Sequence, residues 1–346
     1  MAYTTVNKSA DYFNTVTYTG NATDNRTVTG IGFQPDWLWI KNRADTEQHR
    51  LQDAVRGATK NIKSSGDGAE ETTSNTVKSF DSDGFTLGVD NAINGNSDAM
   101  VSWNWKANGA GSANTDGSIN STVSVNTTAG FSIVKWTGNG TNDATIGHGL
   151  GVAPKMIIIK NTTDTVNWRV WHTSLSANHV LFLNNNQSEK DPSQQGNGYI
   201  KTVGTSTFST YAGNTNDEGV NGNGDAMIAY CFAEKTGYSK FGSYVGNGNA
   251  DGTFAYLGFK PHFFLIKRVD SDEDWIMTDS KRGFPQSWNY VLASTSAAEA
   301  SGLPYDFLSN GVKFRGATQN VNGATFLYMA FGQSIVGSNN IPATAR

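Results

Sequence analysis

The chain has little of several things that other protein classes need. Among its 346 residues there is one cysteine, Cys231, which excludes an internal disulfide framework and any zinc site built from several cysteines. Charged residues make up only 16% of the chain and the formal net charge is -4, so the basic stripe of a nucleic-acid-binding protein is missing. No window approaches the roughly 18 consecutive apolar residues of a transmembrane helix, and we expect no membrane partner.

Glycine, amide and hydroxyl side chains and aromatic rings are abundant instead. The chain contains 38 glycines, and Trp, Tyr and Phe together reach 11% of its residues. Short strands rich in aromatic residues and joined by tight turns have such a composition. Helices need long windows of Ala, Leu, Glu and Lys, which this chain seldom offers. The composition therefore predicts an all-β protein.

One apolar stretch occurs in three similar copies. They are GFQPDWLWIKN at 32–42, GVAPKMIIIKN at 151–161 and GFKPHFFLIKR at 258–268, and in each a proline precedes a lysine by six residues. A continuous apolar run predicts a strand that is covered on both faces, with the proline at its first residue. We expect the lysine that ends each strand to extend its ammonium into water. These residues are Lys41, Lys160 and Lys267.

The similarity extends beyond this stretch. Gly-Asn precedes each copy, as in YTGN at 18–21, and an apolar strand such as AMVSWNWKA at 99–107 closes each unit. Twelve residues after the lysines come Asp53, His172 and Asp279. We expect Arg56 and Arg282 to pair with the two aspartates across a turn, which is a structural role. His172 and Ser174 are expected to form a local hydrogen-bonded turn.

The spacing of the copies predicts domains rather than solenoid repeats. The prolines lie 119 and 107 residues apart, which is too long for a solenoid and suits a small β-domain. We predict three tandem β-sandwich units of jelly-roll or lectin-like type, each of about 100 residues. The predicted segments are unit 1 (1–107), a Gly/Ser/Thr/Asn-rich linker (108–129), unit 2 (130–236), unit 3 (237–334) and an extended C-terminal tail (335–346).

The sequence shows no pattern that carries catalysis. A Gly-x-Ser-x-Gly nucleophile elbow is missing. None of the 30 acidic residues is singled out as a member of the carboxylate pair that hydrolyses glycosides. Glu70 and Glu71 lie in a polar, Gly-flanked loop and are expected to be solvated. We predict that the chain is not an enzyme.

One loop carries several oxygen ligands of the kind that calcium prefers. The sequence DNAINGNSD offers Asp90, Asn94, Asn96 and Asp98. The spacing of an EF-hand with its terminal Glu is absent, and turn formation accounts for the same residues without an ion. We expect no cofactor, with calcium at these four residues as the alternative.

Aromatic side chains on the loops of a β-sandwich could stack on the apolar faces of sugars. Most of the candidates lie in alternating or continuous apolar runs, which equally predicts that they are buried in a core. Both interpretations stay open at this point. The candidates for glycan binding are Trp105, Trp136, Trp168, Trp171 and Trp288.

Taken together, these motifs resemble a repeat of uncharacterised function in virion proteins of marine tailed bacteriophages. The resemblance is carried by YTGN, GFQPDWLWIKN, DAVRG, SFDSDGFTLG and VSWNWKA in unit 1, by WHTSL in unit 2 and by the ending NNIPATAR. It covers nearly the whole chain, and unit 3 departs from it most. The resemblance implies a phage structural protein with concanavalin-like or related β-sandwich units, and it brings no functional residue with it.

We therefore expect a non-enzymatic virion protein exposed on the particle surface, either a capsid decoration protein or a small tail fibre or adhesin. Its expected partners are other virion proteins, further copies of itself, for example in a trimer, and, as a further option, a host surface glycan. The first residues lack a signal-peptide pattern, which predicts assembly in the host cytoplasm. The alternatives are a tail-spike-like enzyme that degrades host surface polysaccharide and a bacterial surface adhesin.

Overall fold

The computed structural model describes residues 4–191, 198–211, 218–282 and 288–334, so the predicted tail at 335–346 lies outside the described residues. Antiparallel strands dominate, which confirms the all-β sandwich prediction. Helical structure in the described part is limited to single turns: α1 (Asn91–Asn94), α2 (Glu218–Asn221) and the 3-10 helices Ser9–Asp11 and Thr318–Asn320. No helix among the described residues is long and apolar enough to cross a membrane.

The strands of unit 1 form a large sheet packed on a small one. Their bounds are β1 Phe13–Thr19, β2 Arg26–Thr29, β3 Trp37–Asn42, β4 Arg50–Asp53, β5 Lys60–Asn61, β6 Glu71–Thr72, β7 Val77–Asp81, β8 Gly84–Leu87 and β9 Ala99–Trp105. The large sheet has the order β1-β9-β3-β4 and the small sheet the order β2-β8-β7, while β5 and β6 pair with each other. Leu38 and Ile40 of β3 meet Val28 and Phe85 of the small sheet in the core of this sandwich.

The strands of unit 2 repeat this arrangement with a wider large sheet. Their bounds are β10 Ser112–Asn114, β11 Ser121–Asn126, β12 Phe131–Thr137, β13 Ala144–Gly147, β14 Met156–Asn161, β15 Arg169–His172, β16 Tyr199–Val203, β17 Thr207–Tyr211 and β18 Ala226–Phe232. The large sheet has the order β10-β11-β12-β18-β14-β15 and the small sheet the order β13-β17-β16.

Strands β10 and β11 lie within 108–129, the segment that was predicted to be a linker. Strand β11 pairs with β12 from Ser121 opposite Trp136 to Asn126 opposite Phe131, so this segment is part of the large sheet. The linker prediction is wrong because the Gly, Ser, Thr and Asn content of the segment obscured the alternating Val123 and Val125 of a strand.

The strands of unit 3 follow the same plan. Their bounds are β19 Ser239–Val245, β20 Phe254–Tyr256, β21 Lys260–Arg268, β22 Ile276–Asp279, β23 Trp288–Leu292, β24 Ala300–Leu303, β25 Tyr305–Leu308, β26 Gly311–Phe314 and β27 Thr325–Gln333. The large sheet has the order β19-β27-β21-β22-β23-β24 and the small sheet the order β20-β26-β25.

The threefold-repeated apolar stretch forms β3, β14 and β21, each lying inside its large sheet. Side chains of a strand alternate between its faces, and both faces of these strands are covered, as the sequence predicted. In β3, Leu38 and Ile40 point into the sandwich of unit 1, whereas Trp37 and Trp39 point the other way. The continuous apolar run is therefore the signature of a strand between two cores.

The second core is shared by all three units, and we call it the central core. Aromatic rings join the units in pairs: Trp37 and Tyr230 lie 4.3 Å apart, Phe13 and Phe263 5.6 Å apart, and Phe232 and Phe331 6.1 Å apart. All six side chains belong to one buried cluster. The large sheets thus pack on one another as well as on their own small sheets.

Candidate functional site

Three of the five tryptophans proposed for glycan binding are core residues. Trp105 and Trp168 lie in the central core and Trp136 in the sandwich core of unit 2, and none of them is more than 3% exposed. A side chain buried to this degree cannot stack on a sugar, so the glycan-binding prediction is wrong for these three. Trp171 is half-buried and packs against the core of unit 2. Trp288 begins β23, and its side chain lies outside the described part of the chain.

Three of the four calcium candidates bind protein groups around α1. Asp90 accepts a hydrogen bond from the Ala92 main-chain N–H at 2.8 Å and pairs with Arg50, and Asp98 accepts from Asn42 Nδ2 at 2.8 Å. Asn94 is buried and holds the turns on either side, while Asn96 is exposed. The described residues include no group of three or more His, Cys, Asp or Glu side chains placed to hold a metal ion. These contacts give Asp90, Asn94 and Asp98 a turn-forming role.

The repeated lysines lie where one unit meets the next. Their side chains are fully buried, so the expectation of ammonium groups in water is wrong. Each ammonium donates to a main-chain carbonyl of another unit, because the end of its strand faces that unit instead of solvent. Burial lowers the pKa of each of the three lysines to about 8. The contacts are Lys41 Nζ to Ser296 O (3.2 Å), Lys160 Nζ to Asp67 O (3.0 Å) and Lys267 Nζ to Asn186 O (3.2 Å).

The residue eight positions after each lysine reaches across the same boundary. The ring nitrogens concerned are Trp168 Nε1, which lies 3.0 Å from Lys63 O, Trp275 Nε1, which lies 2.8 Å from Phe182 O, and His49 Nε2, which lies 3.0 Å from Leu292 O. His49 Nδ1 accepts from Trp39 Nε1, so the ring carries its proton on Nε2. Burial lowers the pKa of His49 well below its ordinary value, and Lys41 lowers it further.

The aspartates twelve residues after Lys41 and Lys267 form the predicted ion pairs, which confirms that expectation. Arg56 Nε lies 2.5 Å from Asp53 Oδ2 and Arg282 Nε lies 2.6 Å from Asp279 Oδ2, with all four side chains at most 2% exposed. Each carboxylate also accepts from the closing strand of another unit: Tyr230 Oη donates to Asp53 (2.8 Å) and Trp103 Nε1 donates to Asp279 (3.0 Å). The pairs therefore bind one unit to the next.

Unit 2 carries His172 at this position because the strand that reaches it offers a different group. Met329 of β27 is equivalent to Trp103 of β9. In the sheets, Trp103 lies opposite Trp39 and Met329 lies opposite Leu265, and each of these partners is the fourth residue after the proline of its unit. A thioether has no hydrogen to donate to a carboxylate. His172 instead places Nε2 3.2 Å from the Tyr328 main-chain oxygen, and its Nδ1 accepts from the Ser174 N–H, which confirms the predicted turn.

The boundaries close into a ring of three. In each unit the main-chain N–H of an equivalent glutamate donates to a main-chain oxygen of the next unit. The accepting residue lies two positions after the repeated lysine of that unit. These bonds are Glu70 to Thr162 (2.9 Å), Glu189 to Val269 (2.8 Å) and Glu299 to Arg43 (2.9 Å). The Glu70 side chain pairs with Arg56 and is only 17% exposed, so its predicted solvation is wrong, whereas Glu71 is 53% exposed. The repeated polar residues therefore hold the ring together.

Acid should weaken the boundary at His172. Burial lowers the pKa of His172 to about 4, from an ordinary value of about 6.5. Between these values the unfolded chain binds a proton that the folded chain does not, so stability is lost as the pH falls from 6.5 towards 4. The His172 contribution at pH 4.5, relative to pH 7, is a loss of about 2–3 kcal/mol. Urea unfolding of the wild type and of His172→Asn at both pH values measures it.

The asparagine variant keeps a side-chain acceptor for the Ser174 N–H but does not titrate. We expect it to be less stable than the wild type at pH 7 and to lose less stability on acidification. Equal losses in the two proteins would contradict a proton-free His172 in the folded state. His179→Asn is the control, made at a half-buried histidine whose Nδ1 bonds the Ala177 main-chain oxygen of its own loop, and it should leave the loss that is due to His172 in place.

A cleft of about 250 Å³ lies between units 1 and 3. Its polar lining comes from Asn14 and Thr15 of β1 and from His262, Ser280 and Lys281 of unit 3. Thr15 is 4% exposed and its Oγ1 makes no hydrogen bond to the described residues. Burial, with a smaller contribution from the charges of Lys260 and Lys281, lowers the pKa of His262 to about 4, so its imidazole is neutral. The cleft can hydrogen-bond a small polar molecule.

A second surface lies on the outer face of the small sheet of unit 3. Three of the five large apolar side chains that are exposed in the described structure, Val245, Phe254 and Tyr256, belong to this unit. Phe254 and Tyr256 point outwards from β20 while Ala255 between them is buried. Neither residue is among the tryptophans that were predicted to bind a glycan. We call Phe254 and Tyr256 the aromatic pair.

Comparison with known proteins places the chain in a family without assigning an activity. No match to a curated protein sequence was found. The model of a family described as a domain of unknown function (DUF7483) matches residues 8–334. Because that match extends through the three predicted units, the chain belongs to the DUF7483 family.

Proposed function

We propose that the chain is a non-enzymatic structural protein on the surface of a tailed-phage particle, where it contacts other virion proteins and host glycans. The observation that carries the proposal is that the repeated polar residues hold the units together. Lys41, Asp53 and Arg56 and their counterparts bond one unit to the next. Residues that a repeated active site would need for chemistry are thus structural, and the outward faces of the ring are available for binding.

The sequence resemblance supports the particle as the setting. A chain whose three large sheets share one core is a compact block, which suits a capsid decoration protein or a small tail fibre. The boundaries between the units are already occupied by contacts within one chain. A homo-oligomer such as a trimer would therefore form through the outward faces of the units. Assembly in the host cytoplasm is part of the same proposal.

Quantitative mass spectrometry and immunogold electron microscopy of gradient-purified phage particles test the placement. We expect the chain at a constant ratio to the major capsid protein, with gold label on the outside of intact particles. A non-structural protein encoded by the same phage serves as the negative control. Presence of the chain in infected-cell lysate but not in purified particles would overturn the proposal.

The alternatives give different results with the same materials. Release of reducing ends from host polysaccharide by the purified chain would favour a tail-spike-like enzyme. Detection of the chain on the surface of uninfected bacteria would favour a bacterial adhesin.

A further inference from the structure

The aromatic pair is exposed although the fold does not require aromatic residues there. Phe254 is 39% exposed and Tyr256 is 56% exposed. In unit 1 the equivalent outward positions of β2 hold Thr27 and Thr29, which pair with β8 in the same register as β20 pairs with β26. In unit 2 the equivalent positions of β13 hold Thr145 and Gly147. Of the three sandwiches, only that of unit 3 thus carries aromatic rings at these two outward positions.

The tip of the Phe254 ring lies close to the neighbouring strand. It packs over Gly311 of the neighbouring strand, where a Cβ atom would come within 2.7 Å of the ring. Tyr256 is two residues away on the same face, which sets the two Cα atoms about 7 Å apart along the strand. Two exposed aromatic side chains at this spacing offer an apolar platform for two adjacent rings of a ligand.

The border of the platform is charged but neutral in sum. Lys313 lies directly across from Phe254, and Asp306 lies across from Lys313 on the same outward face. Arg315 Nε lies 2.7 Å from Asp306 Oδ2, and Lys313 Nζ lies 2.8 Å from Asp251 Oδ1. Two cations and two anions, each paired, offer hydrogen-bond donors and acceptors without attracting a ligand of either charge.

We propose that this face binds a neutral oligosaccharide, with the aromatic pair stacked on two neighbouring sugar rings. Sugar C–H groups lie against the electron-rich faces of the aromatic rings, and the hydroxyl groups bond Asp306, Arg315 and their partners at the border. The proposal deepens the proposed function, because it names the partner class and the residues of one outward face.

The balanced border distinguishes this occupant from others. A charged peptide or an anionic membrane would need an excess of one sign on the protein. A strand added to the free edge of β20 would find only three residues in its ladder, which gives few main-chain hydrogen bonds. A neutral polyhydroxyl ligand matches both the apolar rings and the paired charges.

Binding of the full-length chain to defined oligosaccharides tests the proposal. The probes are maltohexaose, cellohexaose, laminarihexaose and mannohexaose, with hexagalacturonic acid as an anionic comparison, measured by isothermal titration calorimetry. We expect at least one neutral probe to bind and the anionic probe to bind more weakly. Phe254→Thr and Tyr256→Thr should each weaken binding about tenfold. Both variants install the residue that unit 1 carries at the same place, so the fold should be retained.

Three control variants locate the site. Thr27→Ala and Thr29→Ala in unit 1 should leave binding unchanged, and so should His262→Ala in the cleft between units 1 and 3. Loss of binding only in His262→Ala would overturn the proposal, as would equal binding by the wild type and the Phe254→Thr/Tyr256→Thr double variant. Failure of every neutral probe to bind at millimolar concentration would also overturn it. A wild-type dimer that the double variant abolishes would show that a second copy covers this face.

These outcomes are independent of the particle experiment. A chain that is found on virions but binds none of the probes refutes the oligosaccharide site and leaves the placement intact. A chain that binds an oligosaccharide through Phe254 and Tyr256 but is absent from virions refutes the placement and leaves the site intact.

Discussion

Replacement of Arg282 by Met should lower the free energy of unfolding by about 3–5 kcal/mol. Arg282 and Asp279 are both 0% exposed, and the variant leaves the carboxylate buried without a cation. Trp103 Nε1 and the Lys281 N–H still donate to Asp279, but neither carries a charge. The loss should weaken the boundary between units 1 and 3, since Trp103 belongs to unit 1. Urea unfolding at pH 7, followed by tryptophan fluorescence, measures the change.

Arg315→Met is the matched control for Arg282→Met. Arg315 pairs with Asp306 at 2.7 Å, but the two side chains are 46% and 37% exposed. A pair of this kind contributes at most about 1 kcal/mol, so the control should unfold almost like the wild type. The double variant Asp279→Leu/Arg282→Met should recover part of the loss, because it removes both buried charges. Equal losses in Arg282→Met and Arg315→Met would contradict the assigned role of the buried pair.

The sequence was sufficient to predict which strands lie inside the fold. The continuous apolar run WLWIK can be accommodated only where both faces of a strand are covered, and β3 has that environment. Comparing the three copies also predicted the Asp53–Arg56 and Asp279–Arg282 pairs, because turn residues at a fixed spacing meet regardless of the tertiary fold.

What covers the second face of β3 could not be read from the sequence. Periodicity reports that a face is apolar, but it does not say whether the covering side chains are local or distant. The covering residues include Tyr230 and Phe232, which lie more than 190 residues from Trp37 along the chain. The same limit explains the error at Lys41, which was assigned to a unit surface that another unit covers. It also explains why burial and glycan binding both stayed open for Trp105.

The aromatic pair stands out when the copies are compared position by position in the fold. The equivalents of Phe254 and Tyr256 in unit 1 are Thr27 and Thr29, and a change from threonine to an exposed aromatic residue in one copy is a functional signal. The register that makes these positions equivalent is set by β26 and β8. Strands β2 (RTVT) and β20 (FAY) have no residue in common, so their alignment becomes clear only in the fold.

Replacement of Leu38 by Asp should abolish folding of the whole chain, and not only of unit 1 as the tandem arrangement in the sequence suggested. Leu38 is 0% exposed in the core of the first sandwich, so the variant buries a carboxylate without a partner. The neighbouring Trp37 and Trp39 supply part of the central core, and without them the large sheets of units 2 and 3 would expose apolar faces to water. Limited proteolysis with mass spectrometry shows how far the loss extends.

Val89→Asp makes a similar change at an exposed site of unit 1, because Val89 is 42% exposed, and it should leave proteolysis and stability close to wild type. For Leu38→Asp we expect cleavage throughout the chain, and for the wild type a single calorimetric transition, since a shared core makes the units unfold together. A protease-resistant fragment covering 130–334 in Leu38→Asp would show that units 2 and 3 fold without unit 1. The central core would then join preformed domains, and the ring of hydrogen bonds from Lys41, Lys160 and Lys267 would contribute orientation instead of stability.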